Sequence, residues 1–309
     1  MSADLEALAP NPMPAGTDPH AVAAEITARA GTSFGPGMRI LPAVRRRGMW
    51  ALYAFSRVID DIADEDWPLA EKHRLLDAWR EEIAALYAGR PVSTIGHALA
   101  GPVARWDLPE AEFLALIDGM QMDADGPIVA PPEMVLRLYT RRVAGAVGLL
   151  SMRIFGAWRD DVSERFALAL ADAFQLTNIL RDIEADAEMG RLYLPAELLA
   201  AHGIPPDPAK AAAHPALPAA AAELGRAARA EFATARGLIG AHARLRIAPA
   251  LVMMGVYAAY LARMEAVGFA RGARVRLSKA EKLWRGLACL VAPGQAAAPA
   301  AGPAAGPHG

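Results

Sequence analysis

Apolar residues return every three or four positions along most of this chain, and the breaks between the runs are short. That is the period of an α-helix with one face turned inward. The pattern predicts helices at about 45–64, led in by Leu41-Pro42, and at 69–87, stopped by Gly89-Arg90-Pro91. Another starts at Pro109 and runs through Phe113, Leu116 and Met120. Asp123 to Pro132 reads as a turn-rich break, with Asp123 and Asp125 shaping a turn beside Gly126-Pro127. Helices follow over 133–154 and over 161–188, the latter ended by Gly190. After a Pro- and Ala-rich loop at 205–218, two more span 219–243 and 249–268, and a short basic amphipathic helix covers 279–290. No alternating runs pair as strands, and no repeat period emerges. The expectation is an all-α chain with one domain over 21–291, a mobile Pro-rich arm at 1–20 and a disordered Ala/Gly/Pro tail at 292–309.

Composition sharpens this. Hydrophobic residues make up 54% and aromatics 6%, with alanine and leucine dominant, which favours helix over strand. The formal net charge of -2 gives no electrostatic case for nucleic acid. The single cysteine, Cys289, forms no internal disulfide and fits a reducing, cytoplasmic location. No leader is read at the N-terminus, where Asp4 and Glu6 precede Pro10, Pro12 and Pro14. The longest uncharged stretch, 247–262, falls short of the ~20 residues of a spanning helix and contains Pro249 and Gly255. It reads as a buried core helix.

Two segments carry candidate chemistry. On a helix over 45–64, Tyr53, Arg57, Asp60 and Asp64 fall on one narrow stripe, while Phe55, Val58, Ile59 and Ile62 point elsewhere. Asp61 lies off that stripe. On the helix over 161–188, Gln175, Asn178, Asp182 and Asp186 share one face, with Arg181 beside them and Arg191 and Tyr193 just past the helix end. Two carboxylates one turn apart among apolar residues repel each other and are costly to desolvate. A divalent cation relieves both problems. Mg²⁺ prefers such oxygens and bridges to phosphates, and with arginine it neutralises a departing diphosphate. One DxxxD is ordinarily a solvated acidic face; two, each with an arginine and apolar flanks, are much less often accidental.

At these segments the sequence resembles the squalene/phytoene synthase family, and the similarity extends over about residues 31–290. It is carried by Ser33-Phe34, Met38-Arg-Ile-Leu-Pro42, Tyr53 to Asp64, Leu76-Asp-Ala-Trp-Arg80, Gly119-Met-Gln-Met-Asp123, Arg141 to Gly148, Gln175 to Pro195 and Val275 to Lys279. Within the family it is most similar to the hopanoid-pathway branch that forms presqualene diphosphate. The resemblance implies an all-α isoprenoid-synthase (terpenoid synthase) helical bundle around a central cavity. It further implies head-to-head condensation of two farnesyl diphosphates to presqualene diphosphate and diphosphate by a Mg²⁺-dependent prenyltransferase. Asp60, Asp64, Asp182 and Asp186 would bind two or three Mg²⁺ ions. Ser33, Arg57, Arg181, Arg191 and Tyr193 would hold diphosphate oxygens, Gln175 and Asn178 would line the polar end of the cavity, and Tyr53 and Phe34 would border the ionising substrate. NADPH is not expected, and downstream squalene-forming enzymes are candidate recipients of the product. Full squalene or phytoene/dehydrosqualene synthesis is the alternative, and a non-catalytic assembly factor a remote one. Arg142 cannot be a base near neutral pH, so the proton would go to a phenol or to the released diphosphate.

Other features have plainer readings. Arg45, Arg46 and Arg47 read as a solvated face, and Gly145 and Gly148 as sites of close helix packing. His73, His97 and His202 lack partners at metal-ligand spacing. The basic segment Arg271–Arg285 reads first as a plain surface helix, with peripheral attachment to the inner face of an anionic membrane as the alternative.

Overall fold

In a computed structural model the described residues are 7–30, 35–273 and 275–293. The helices are α1 (Pro19–Arg29), α2 (Gly35–Arg39), α3 (Ala43–Asp64), α4 (Leu69–Tyr87), α5 (Thr94–Trp106), α6 (Glu110–Ala124), α7 (Glu133–Thr140), α8 (Ala146–Ile154), α9 (Asp160–Glu188), α10 (Ala196–Ala201), α11 (Pro208–Ala213), α12 (Leu217–Leu238), α13 (Ala248–Ala266) and α14 (Lys279–Val291). Among the described residues there is no strand, only isolated bridges at Pro12–Ser93 and Val129–Leu192. The all-α expectation holds, and the expected helix limits lie within a few residues of those seen.

Two helix groups meet around a cavity. α3 packs on α1, α5 and α6, with Phe55 of α3 edge-on to Trp79 of α4 and Phe113 of α6 at 5.7 and 5.4 Å between ring centres. On the other side α9 packs along α12, and α13 lies against α9 and carries α14. α13 is buried almost all round, as an uncharged run must be. No helix among the described residues is long and apolar enough to cross a membrane.

Five local expectations change. The helix expected over 133–154 is interrupted by a π turn, Arg141–Gly145, whose extra residue re-aims the side chains that follow. Gly119 makes room for it, since a Cβ there would stand 2.7 Å from Val143 Cγ1. The loop at 205–218 contains α11, opened by Asp207 accepting from the Lys210 amide at 2.9 Å. α5, capped by Ser93, lies where the apolar pattern predicts no helix. Residues 7–18 of the N-terminal arm carry specific contacts: the Leu8 carbonyl accepts from Trp79 Nε1 at 2.8 Å, and the Met13 amide donates to the Val92 carbonyl at 2.9 Å. Finally, Asp123 lies on α6 rather than in a turn. The tail from 294 lies outside the described residues.

Candidate active site

The two polar stripes occupy the same end of the cavity. α3 turns Phe55, Ile59 and Ile62 into the core, which leaves Tyr53, Arg57, Asp60 and Asp64 on its opposite edge. α9 buries Ala173, Thr177, Ile179 and Leu180, and its half-exposed edge carries Gln175, Asn178, Asp182 and Asp186. Tyr53 and Ser56 of α3 line one cavity with Gln175 and Asn178 of α9. Beyond α9, Gly190 adopts φ +74°, and the Arg191 amide returns to the Asp186 carbonyl at 2.8 Å. The Leu192 amide donates to the Ile128 carbonyl and the Ala130 amide to the Leu192 carbonyl, each at 2.8 Å. Pinned in this way, Arg191 crosses to α3 and donates to Asp64 Oδ1 at 2.9 Å.

Asp123 joins the two stripes. Its two carboxylate oxygens accept one phenol each, from Tyr139 at 3.0 Å and Tyr193 at 3.1 Å, and those rings stack at 5.4 Å between centres. Burial pushes its carboxyl up to about 6, against the phenols and Arg191; the charge of Asp64 adds to the rise. Asp60 is also pushed up to about 6, by desolvation first and by the Asp64 charge second. Asp186 reaches about 6 by desolvation and then by the Asp182 charge. The Asp123 charge contributes to the rise at both Asp60 and Asp186.

The cations are already engaged. Arg57 pairs with Asp60 at 3.1 Å and with Asp61, so the off-stripe aspartate does share this arginine. Arg181 Nε donates to the adjacent Asp182 at 2.9 Å, and its guanidinium lies 5.4 Å from the centre of the Tyr260 ring. Ser33 and Phe34 lie outside the described residues.

Below the carboxylates the cavity, about 260 Å³, is apolar. Its walls include Leu52, Val147, Leu170, Phe174 and Met253. The π turn supplies Val143 and Ala144, and Gly148 sits where a Cβ would stand 3.2 Å from the Ala167 carbonyl. At the junction of polar and apolar halves, Asn178 Oδ1 is buried without a hydrogen-bond partner. Tyr257 faces it from α13, with a phenol raised by burial against the opposing pull of Arg181.

These donors fit a divalent cation. Three carboxyls are driven toward protonation by desolvation first and by neighbouring carboxylates second, the state that bound positive charge reverses. No group of three or more acidic, His or Cys side chains is gathered into a metal cage among the described residues. Mg²⁺ does not need one, because it keeps several waters and uses one or two carboxylates together with substrate phosphates.

The sequence profile of the squalene/phytoene synthase family matches residues 27–281. The chain belongs to the squalene/phytoene synthase family. A presqualene diphosphate synthase of Zymomonas mobilis subsp. mobilis is 44% identical over 84% of this chain and 90% of its own. A phytoene synthase of Thermus thermophilus is 37% identical over 62% of this chain and 65% of its own. The crystal structure of squalene synthase HpnC from Alicyclobacillus acidocaldarius superposes with a TM-score of 0.75 at 26% identity, covering 87% of this chain and 97% of that one. The isoprenoid-synthase fold expected from the motifs is therefore the fold of this family member.

The spacing predicts both stripes, whereas three residues that the structure brings against them do not stand out in the sequence. The sequence makes Asp123 a turn former because Gly126-Pro127 follows it; α6 continues through it and ends at Ala124. Tyr139 belongs to a short helix with no distinguishing motif. Tyr257 sits in a run so apolar that no face stood out.

Proposed function

We infer that this chain joins two farnesyl diphosphates head to head, giving presqualene diphosphate and diphosphate. The observation that carries the reading is a pair of carboxylate stripes whose neighbouring members, Tyr53, Gln175 and Asn178, line one apolar cavity, in a chain whose identity to a presqualene diphosphate synthase extends over most of its length. Phytoene synthesis has the weaker support of a shorter, less identical match.

Asp60, Asp64, Asp182 and Asp186 would hold Mg²⁺, two or three ions in all, and the metal would neutralise the leaving diphosphate. Arg57, Arg181 and Arg191, released in part from their carboxylates, would take up diphosphate oxygens. The Tyr193–Asp123 bond would keep the segment that carries Arg191 against α6, and the Arg191–Asp64 pair would tie it to α3. Tyr53, with Gln175 and Asn178, would border the reacting carbons, and the wall from Leu52 to Met253 would exclude water from the cation. The C1–O bond of one farnesyl diphosphate breaks, and the electron pair leaves with diphosphate. C1 then bonds to C2 of the second chain's double bond. Loss of a proton from the same C1 closes the ring at C3, and the proton leaves with the diphosphate.

No hydride enters this balance, so the reaction takes no NADPH. Transfer of the product to a squalene-forming enzyme and peripheral contact with a membrane belong to the same proposal, because the product carries two farnesyl-derived chains. Mass spectrometry of products from farnesyl diphosphate and Mg²⁺ without reductant tests it. Presqualene diphosphate is expected. Its absence, with squalene formed only on adding NADPH or phytoene formed from geranylgeranyl diphosphate, would move the chain to the alternative activities.

A further inference from the structure

Away from the carboxylates, the surface beside the far end of the cavity is built of arginines that no carboxylate balances. A groove of about 470 Å³ is lined by Arg45, Arg105 and Arg246 with Val44, Trp106 and Leu245. Two of the guanidiniums converge over Gly156: a Cβ there would stand 2.5 Å from Arg45 Nη2 and 3.0 Å from Arg246 Nη1. Among the described residues no ion pair reaches Arg45, Arg46, Arg47, Arg105, Arg244 or Arg246. Asp107, adjacent to Trp106 in the chain, lies 3.8 Å from Arg153 instead. Like charges held this close without counter-ions call for an anion.

The groove also has an apolar rim. Leu245 is 90% exposed at the tip of the turn before α13, and Val44 at the start of α3 is 50% exposed. A site for a free, hydrated anion has no use for such residues, whereas the headgroup and acyl boundary of a bilayer takes both kinds together. One residue ties this face to the cavity. Phe155 lines the cavity, and its carbonyl accepts from Arg45 Nη1. Pro249, four residues beyond Leu245, lines the cavity as well.

We propose that this arginine groove is an anionic-lipid docking site, seating headgroup phosphates on Arg45, Arg105 and Arg246 while Leu245 and Val44 enter the acyl boundary, so that the tail end of the cavity faces the membrane. The inference rests on the membrane contact proposed above and gives it a place. The basic C-terminal helix is the competing face. α14 exposes Leu283, Trp284 and Leu287, but it carries the acidic Glu281, and Lys282, one of its cations, lies 5.7 Å from the centre of the Tyr260 ring, whereas no acidic residue lines the groove.

Flotation of the full chain with vesicles decides it, and vesicle binding is read without turnover, so failure here leaves the catalytic reading standing. The protein is expected to float with phosphatidylcholine vesicles containing phosphatidylglycerol at low salt, and to stay behind with phosphatidylcholine alone. At about 1 kcal/mol per basic residue, Arg105→Gln/Arg246→Gln should weaken binding about 30-fold. Leu245→Ser should weaken it further, with unchanged helical circular dichroism and unchanged turnover of detergent-solubilised farnesyl diphosphate. Three results would each overturn the proposal. One is no flotation of the wild type on anionic vesicles. Another is undiminished flotation of the Arg105→Gln/Arg246→Gln variant with loss in Lys279→Gln/Trp284→Ser. The third is arginine-dependent binding of inorganic diphosphate without vesicle association, which would make the groove a soluble-anion site.

Discussion

Asp123→Asn separates a carboxylate kept for chemistry from one kept for stability. With its carboxyl raised from 3.8 to about 6, the ionised form of Asp123 is about 3 kcal/mol less favourable in the folded protein than in the unfolded chain at pH 7. The sign follows from proton binding. Between pH 4 and 6 the folded state holds more protons than the unfolded one, so this group's contribution is most favourable in acid and is lost as pH rises through 6. Asparagine removes that charge but offers a single acceptor where two phenols, Tyr139 and Tyr193, now bond. One buried phenol then exchanges its carboxylate acceptor for the other phenol, which costs about 1–3 kcal/mol. The two effects oppose each other at pH 7.5 and leave the variant equal to the wild type or up to about 2 kcal/mol more stable. At pH 4.5 the unfolded carboxyl is still mostly ionised and about 1 kcal/mol of the charge effect remains, so the variant should lie between equal to the wild type and about 2 kcal/mol less stable. Urea unfolding in chelator at the two pH values measures both differences. In the same variant the Mg²⁺ concentration for half-maximal diphosphate release should rise about 10- to 100-fold, the usual effect of losing a supporting carboxylate. An equal stability difference at both pH values would refute the argument, as would unchanged Mg²⁺ dependence.

Further predictions follow from the same geometry. Asp60→Ala and Asp182→Ala should each lower turnover by at least about 100-fold with helical circular dichroism intact; full activity in either would remove the metal assignment. Gly255→Ala places a Cβ 2.3 Å from the Arg285 carbonyl and 2.8 Å from Cys289 Cβ. It should cost about 1–3 kcal/mol and loosen α14, so that the Cys289 thiol, buried in the wild type and pushed up to about 11 by that burial, reacts faster with a thiol reagent in native buffer. Glu82, 4% exposed, accepts from the Val92 and Ser93 amides and from Ser93 Oγ. Glu82→Ala strands those donors and should cost roughly 3 kcal/mol, read as a lower unfolding midpoint with no change in KM.

Helical periodicity alone was enough to mark α3 and α9 and to put Asp60, Asp64, Asp182 and Asp186 on their polar edges. The angle between residues on one helix is local geometry, set by the 3.6-residue turn whatever surrounds it. The specific motifs around those residues were equally legible, and they led to the right family. What lies between helices was not. Asp123 becomes part of the site only because α6 brings it between the two stripes, with phenols from α7 and from the 190–195 segment closing on it. Its proton affinity is likewise a property of that burial and of neighbours dozens of residues away. Tyr257 and the π turn at Arg141–Gly145 are matched to the cavity by packing, and an apolar run carries no sign of which side will face a void. The arginine groove is the same case. Arg45, Arg105 and Arg246 are remote in sequence, and each alone reads as a solvated charge. Only the docking of α3, α5 and the turn before α13 gathers them, because the fields of charges depend on distance in space and not along the chain.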